Sequence, residues 1–133
     1  MSFQWLQMRI TEEKERRDRE RMILNRLPRA LDELRESLAI CVDAYNQAFG
    51  GDSCSLALEQ GALHIVAGGG KIEITTDASL PGFRVDRGSD PLLIQVGMLP
   101  GDKLFYRDAD KYLTAEEMTR RILDRALFPK LTE

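Results

Sequence analysis

Ala48-Phe49-Gly50-Gly51-Asp52-Ser53-Cys54-Ser55-Leu56-Ala57-Leu58-Glu59 contains the change of hydrophobic period that decides the fold class. Before Gly50, apolar residues recur every three or four positions. After Gly51 they recur every two, in short runs broken by Gly, Pro and Asp. Near Thr114 the longer spacing returns. Helices and strands present their faces at these two spacings, so the chain reads as helix, then strands, then helix.

Upstream of the switch, Leu27, Leu31, Leu34, Leu38, Cys41, Tyr45 and Ala48 recur at 4-3-4-3-4-3, and Val42 and Phe49 widen the stripe. Gly50 suits the stop of this helix and Pro28 suits its first turn. The seam is short for a coiled coil and lacks regular flanking charge, so it reads as a core-facing helix. Before it, every residue from Glu12 to Arg21 is charged, and acids and bases sum to zero. Glu12–Arg16, Glu13–Arg17 and Glu15–Arg19 are acid-to-base pairs four apart, each worth about 0.2–0.5 kcal/mol to a helix. Thr11 is the expected N-cap of this charged helix. Pro28 disfavours helical geometry at Leu27, so a break or kink is expected there. Phe3 to Ile10 fits either a short strand or a turn of helix.

Downstream, CSLALE, ALHIVA, KIEITT, FRVDR, LLIQVGM and a final KLFYR read as an antiparallel meander of five or six strands. Turns fall at Gln60-Gly61, Gly68-Gly69-Gly70, Leu80-Pro81-Gly82 and Leu99-Pro100-Gly101-Asp102. Thr114-Ala115-Glu116-Glu117 is a capping box, with Leu113 and Met118 placed as its hydrophobic staple. Ala115, Met118, Ile122, Leu123 and Ala126 then face one way, and Pro129 ends the helix. The expected architecture is one two-layer α+β domain. It comprises a charged helical arm (1–26), a core helix (27–50), an antiparallel sheet (54–107) and a C-terminal helix (114–128), with the helices on one sheet face.

At 133 residues and 43% hydrophobic, the chain can bury a core without a metal or disulfide. A net charge of −3 argues against a global attraction to nucleic acid or anionic lipid. No run reaches the roughly 20 apolar residues of a membrane helix, and the first residues lack a basic start followed by an apolar stretch. Cys41 and Cys54 are too few for a disulfide framework, which favours structural thiols and a cytoplasmic setting.

The motifs that invite chemistry each lack a required part. Ala67 to Lys71, AGGGK, lacks the first glycine and the hydroxyl residue of a phosphate loop, and a strand rather than a helix follows. It reads as a hairpin turn. Asp108-Ala109-Asp110-Lys111-Tyr112 opens like a calcium loop, but Leu113 and Thr119 stand where Gly and Glu are needed. His64 is the only histidine and has no companion at metal-ligand spacing.

No catalytic set, metal site or cofactor is therefore expected, and the chain reads as a non-enzyme. Two contact regions are expected instead. One is the open sheet face, carrying His64, Glu73, Thr75, Arg84, Asp86 and Gln95. The other is the charged helix, with Arg16, Arg17 and Arg19. The expected function is a non-catalytic protein-binding or assembly module, a homodimer, with no membrane partner. One alternative is a small-molecule site or weak enzyme in a cleft using His64, Tyr106 and Tyr112. Another rests on the order helix–strands–helix in a small acidic chain, which resembles secretion-chaperone-like folds and implies a protein partner. The arginine run raises nucleic acid as its counterpart, though Glu15, Asp18 and Glu20 offset that field.

Overall fold

The computed structural model describes residues 3–88 and 91–131. Helix α1 runs from Gln4 to Phe49, strands β1 to β7 follow, and helix α2 spans Ala115–Leu127. The strands are β1 Ser55–Glu59, β2 Ala62–Ala67, β3 Gly70–Asp77, β4 Gly82–Asp86, β5 Leu92–Leu99, β6 Lys103–Asp108 and β7 Lys111–Leu113. They form one antiparallel sheet in chain order, each strand paired to the next. The chain is thus α+β in two layers. The sheet has seven strands rather than five or six, because Lys111–Leu113 adds a short seventh ladder on β6. Among the described residues no helix is long and apolar enough to cross a membrane.

Two features of α1 correct the sequence reading. The helix begins at Gln4, with Phe3 at its cap position, so Thr11 is not a cap. Its hydroxyl instead donates to the Gln7 carbonyl, 3.0 Å away, as an interior threonine does. And the helix passes through Pro28 without ending. Pro28 lies on the exposed side, so the carbonyl of Leu24, which loses its helical donor to the proline ring, is not sealed in the core. At about 1.5 Å per residue the 46 residues make a rod about 69 Å long.

The rod has two halves. Ile23, Leu27, Ala30, Leu31, Leu34, Leu38 and Val42 are buried on the sheet, while among the described residues none before Ile23 is buried. Of the apolar residues flanking the charged run, Ile23 docks and Leu24 is half-buried, but Trp5, Leu6, Ile10 and Met22 are exposed. At the other end Gly50 stops the helix, its N–H returning to Asn46 O at 2.8 Å. Asn46 then fixes the switch of period. Its side chain donates to Cys54 O and accepts from Cys54 N, both at 2.8 Å, like one rung of a ladder.

Strand alternation builds the core. Leu63, Ile65, Ile72, Ile74, Phe83, Val85, Leu92, Ile94 and Val96 point to the helices and are all under a tenth exposed. Met118, Thr119, Ile122, Leu123, Ala126 and Leu127 cover them from α2, while Ala115 stays exposed.

The capping box forms. Glu117 N donates to Thr114 Oγ1 at 3.1 Å, and Thr114 N donates to the Glu117 carboxylate at 3.4 Å. Leu113 and Met118 flank it, both buried. Thr114→Ala is expected to cost about 1 kcal/mol in chemical denaturation, because the Glu117 amide loses its acceptor. An unchanged midpoint would place the start of α2 elsewhere. The Thr114 amide, then Lys111, hold the Glu117 carboxyl below its ordinary value near 4.5. A lowered folded pKa supplies stability in full above the unfolded value and loses it as pH falls through the folded one. The gap between wild type and Glu117→Gln should therefore be widest near neutrality and close in acid below that value.

The glycine turn between β2 and β3 does more than reverse the chain. Gly69 N donates to Ala126 O at 2.9 Å, and a Cβ on Gly69 would sit 2.6 Å from the carbonyl oxygens of both Arg125 and Ala126. The third glycine turn residue, Gly70, has φ +138°. Gly69→Ala should cost about 1–3 kcal/mol, since backbone must move to admit the methyl. Gly68→Ala, which meets nothing within 4 Å, is the control, and equal thermal midpoints for the two would contradict the contact.

Candidate functional site

The open face of the sheet is built by register. Ala57, His64, Glu73 and Asp86 lie in one row across β1–β4, and Thr75, Arg84 and Leu93 in the next across β3–β5. His64 Nδ1 is 3.6 Å from Glu73 Oε2, and Arg84 Nε is 3.4 Å from Asp86 Oδ1. These side chains are a third to a half exposed, so each pair contributes little, on the order of 0–1 kcal/mol. The row is solvated, and it can meet another surface.

The residues of the cleft reading are not brought together. Tyr106 points to the helix side, stacked on Phe83 with ring centroids 6.1 Å apart. His64 and Tyr112 lie on the opposite side, on β2 and β7, five strand spacings or about 24 Å from each other. Burial, then Glu33, pushes the Tyr106 hydroxyl pKa up, which leaves it a protonated core-edge phenol. Asp108, first residue of the calcium-like run, pairs with Arg121 of α2. The Cys54 thiol is buried and its pKa is raised by that burial, the condition of an inert thiol. Among the described residues no group of three His, Cys, Asp or Glu side chains is placed to hold a metal.

The charged arm is organised around Arg16. Its guanidinium spans Glu13 at 2.7 Å and Glu20 at 2.7 Å, and Arg17 joins Glu13 at 3.0 Å. The expected partner Glu12 pairs instead with Arg9, at 2.9 Å. Hydrogen bonds from Arg16 first, then Arg17, hold the Glu13 carboxyl down at about 2. Arg19 has no carboxylate within 4 Å among the described residues, although Glu15 was its expected partner.

The arm also meets the sheet. Arg16, Arg19, Glu20 and Ile23 line a crevice of about 270 Å³ with Pro81, Gln95, Gly97, Met98, Phe105 and Arg107. Three residues singled out from sequence, Arg16, Arg19 and Gln95, are thus brought together. Arg17 is turned to Glu13, and His64, Glu73, Thr75, Arg84 and Asp86 do not line this crevice. Arg107 was missed. Only the register Gln95↔Arg107 places it there, and no local spacing signals a pairing between two strands.

A second, apolar groove of about 470 Å³ separates the end of α1 from α2, with Cys41, Tyr45, Phe49, Leu123, Leu127 and Phe128 among its walls. Its aromatic rings touch, Tyr45 lying 4.9 Å from Phe49 and 5.6 Å from Phe128 between centroids. Comparison of the chain with protein-family models, curated proteins and solved structures finds no match.

Proposed function

We propose that the protein is a non-catalytic assembly module that forms a homodimer through the N-terminal arm of α1. The observation that carries this reading is the rod itself: its residues before Ile23 are helical yet none is buried. Exposed ion pairs four apart add only tenths of a kcal/mol each, too little to order so long a segment alone. Continuity with the docked half supports it from one end. At the other end Phe3, Trp5 and Met8 are each more than half exposed, an apolar tip that a second surface would cover.

A second copy is the occupant the charges favour. Glu12 to Arg21 holds five acids and five bases, so two antiparallel copies can place opposite charges against each other under a twofold axis. Light scattering on a sizing column, at low and high protein concentration, tests the reading. A dimer that dissociates on dilution supports it, and a strict monomer throughout counts against it. Deleting residues 1–21 is expected to leave the α+β domain folded with a thermal midpoint close to the parent's, while abolishing the dimer. Global unfolding of the truncated chain, where the full chain is monomeric, would assign the arm to the core instead.

A further inference from the structure

Arg107 is held in an unusual state for a guanidinium. It is half-buried, its Nη2 donates to the neutral Gln95 Oε1, and its Nε is buried with no hydrogen-bond partner. Among the described residues no carboxylate lies within 4 Å of it. An unmet buried donor on a cation is costly, and the guanidinium as a whole lacks the counter-charge that a carboxylate or similar oxyanion would supply. The same crevice holds Arg19, also without a carboxylate, and Arg16, whose charge Glu13 and Glu20 already offset. Counting lining residues, Arg16, Arg19 and Arg107 against Glu20 leaves a net charge of +2. The remaining wall is apolar: Ile23, Pro81, Met98 and the ring of Phe105. That ring lies flat over Gly97, where a Cβ would come within 2.1 Å of it.

We propose that this crevice binds a small organic anion, with its carboxylate between Arg107 and Arg19 and a short hydrocarbon body against Ile23, Met98 and Phe105. Gln95 engages Nη2 and sets the direction of the Arg107 fork. The volume of about 270 Å³ admits a chain of a few carbons and no large cofactor. The site lies within one chain and does not depend on self-association.

The test is an NMR titration of the full-length protein with hexanoate, inorganic phosphate and chloride, at fixed pH and ionic strength. Hexanoate is expected to shift the Gly97 amide, the Gln95 side-chain amide and the Arg107 Nε–H saturably. Arg107→Gln should weaken that binding by roughly 10- to 100-fold, as expected for removal of a charged hydrogen-bond partner. Arg19→Gln, on the exposed arm where folding is not at stake, should weaken it several-fold. Arg120→Gln on the exposed side of α2 should leave it unchanged. Shifts with phosphate but not hexanoate would overturn the hydrocarbon body. No saturable shift with any probe, or shifts confined to other residues, would overturn the site. Equal affinity in the Arg19→Gln and wild-type proteins would remove the arm from it.

Discussion

Phe83→Ala is expected to destabilise the fold by about 3–5 kcal/mol, the range for deleting a fully buried aromatic side chain. Phe83 is 0% exposed and sits on the central strand of the sheet, between β3 and β5, facing the helices. Its ring stacks at 19° on Tyr106, so truncation removes both the transfer free energy of the ring and a stacking partner two strands away. The neighbouring backbone has no freedom to close the hole. Gly82 lies against β5 so closely that a Cβ would fall 2.0 Å from the Ile94 oxygen. A domain of this size has roughly 5–15 kcal/mol in total, so the variant should show a large drop in its urea midpoint with little change in slope. A loss under 1 kcal/mol would mean that the ring is not in the core.

Leu34→Ala is expected to cost about 2–5 kcal/mol. Leu34 is 3% exposed at the centre of the docked half of α1, among Ala30, Leu31 and Leu38. The helix cannot settle into the gap, because buried Leu27 and Val42 hold it against the sheet on either side. Arg35→Ala, one position along on the exposed side, should change stability by less than about 0.5 kcal/mol. Similar losses from the two substitutions would reverse the assignment of the helix face.

Leu34 was legible because a single side of a helix repeats, and the repeat survives in sequence whatever covers it. The same holds for alternate residues of β2 to β5 and for the Thr114–Glu117 box, whose contacts are local. What could not be read lies in contacts without local spacing. Pro28 signals a boundary in any isolated helix, and only its position on the exposed side lets α1 continue. Gly69 looks like an ordinary turn glycine until α2 is laid against it. Lys111–Leu113 is too short to show alternation, and pairs because β6 already presents an edge. Arg107 becomes a candidate ligand-binding residue through a cross-strand partner twelve residues away in sequence, Gln95, and a helix that passes nearly ninety residues upstream.

The unbroken succession of β1 to β7 bears on how the molecule forms. Every ladder joins strands adjacent in the chain, so each closes a loop of a few residues, with a small entropic cost and a characteristic time of about 1–10 μs per hairpin. The slow, nonlocal events are left to the two ends of the chain, where α1 and α2 must find a sheet face written between them. Tyr45, whose hydroxyl donates to Leu127 O at 3.2 Å, joins residues eighty-two apart and can report only the last of these steps. A chain so ordered is expected to gain its sheet before the helices dock on it. Loss of the Thr114 cap should then appear mainly as faster unfolding, and deletion of the Phe83 ring as slower folding as well.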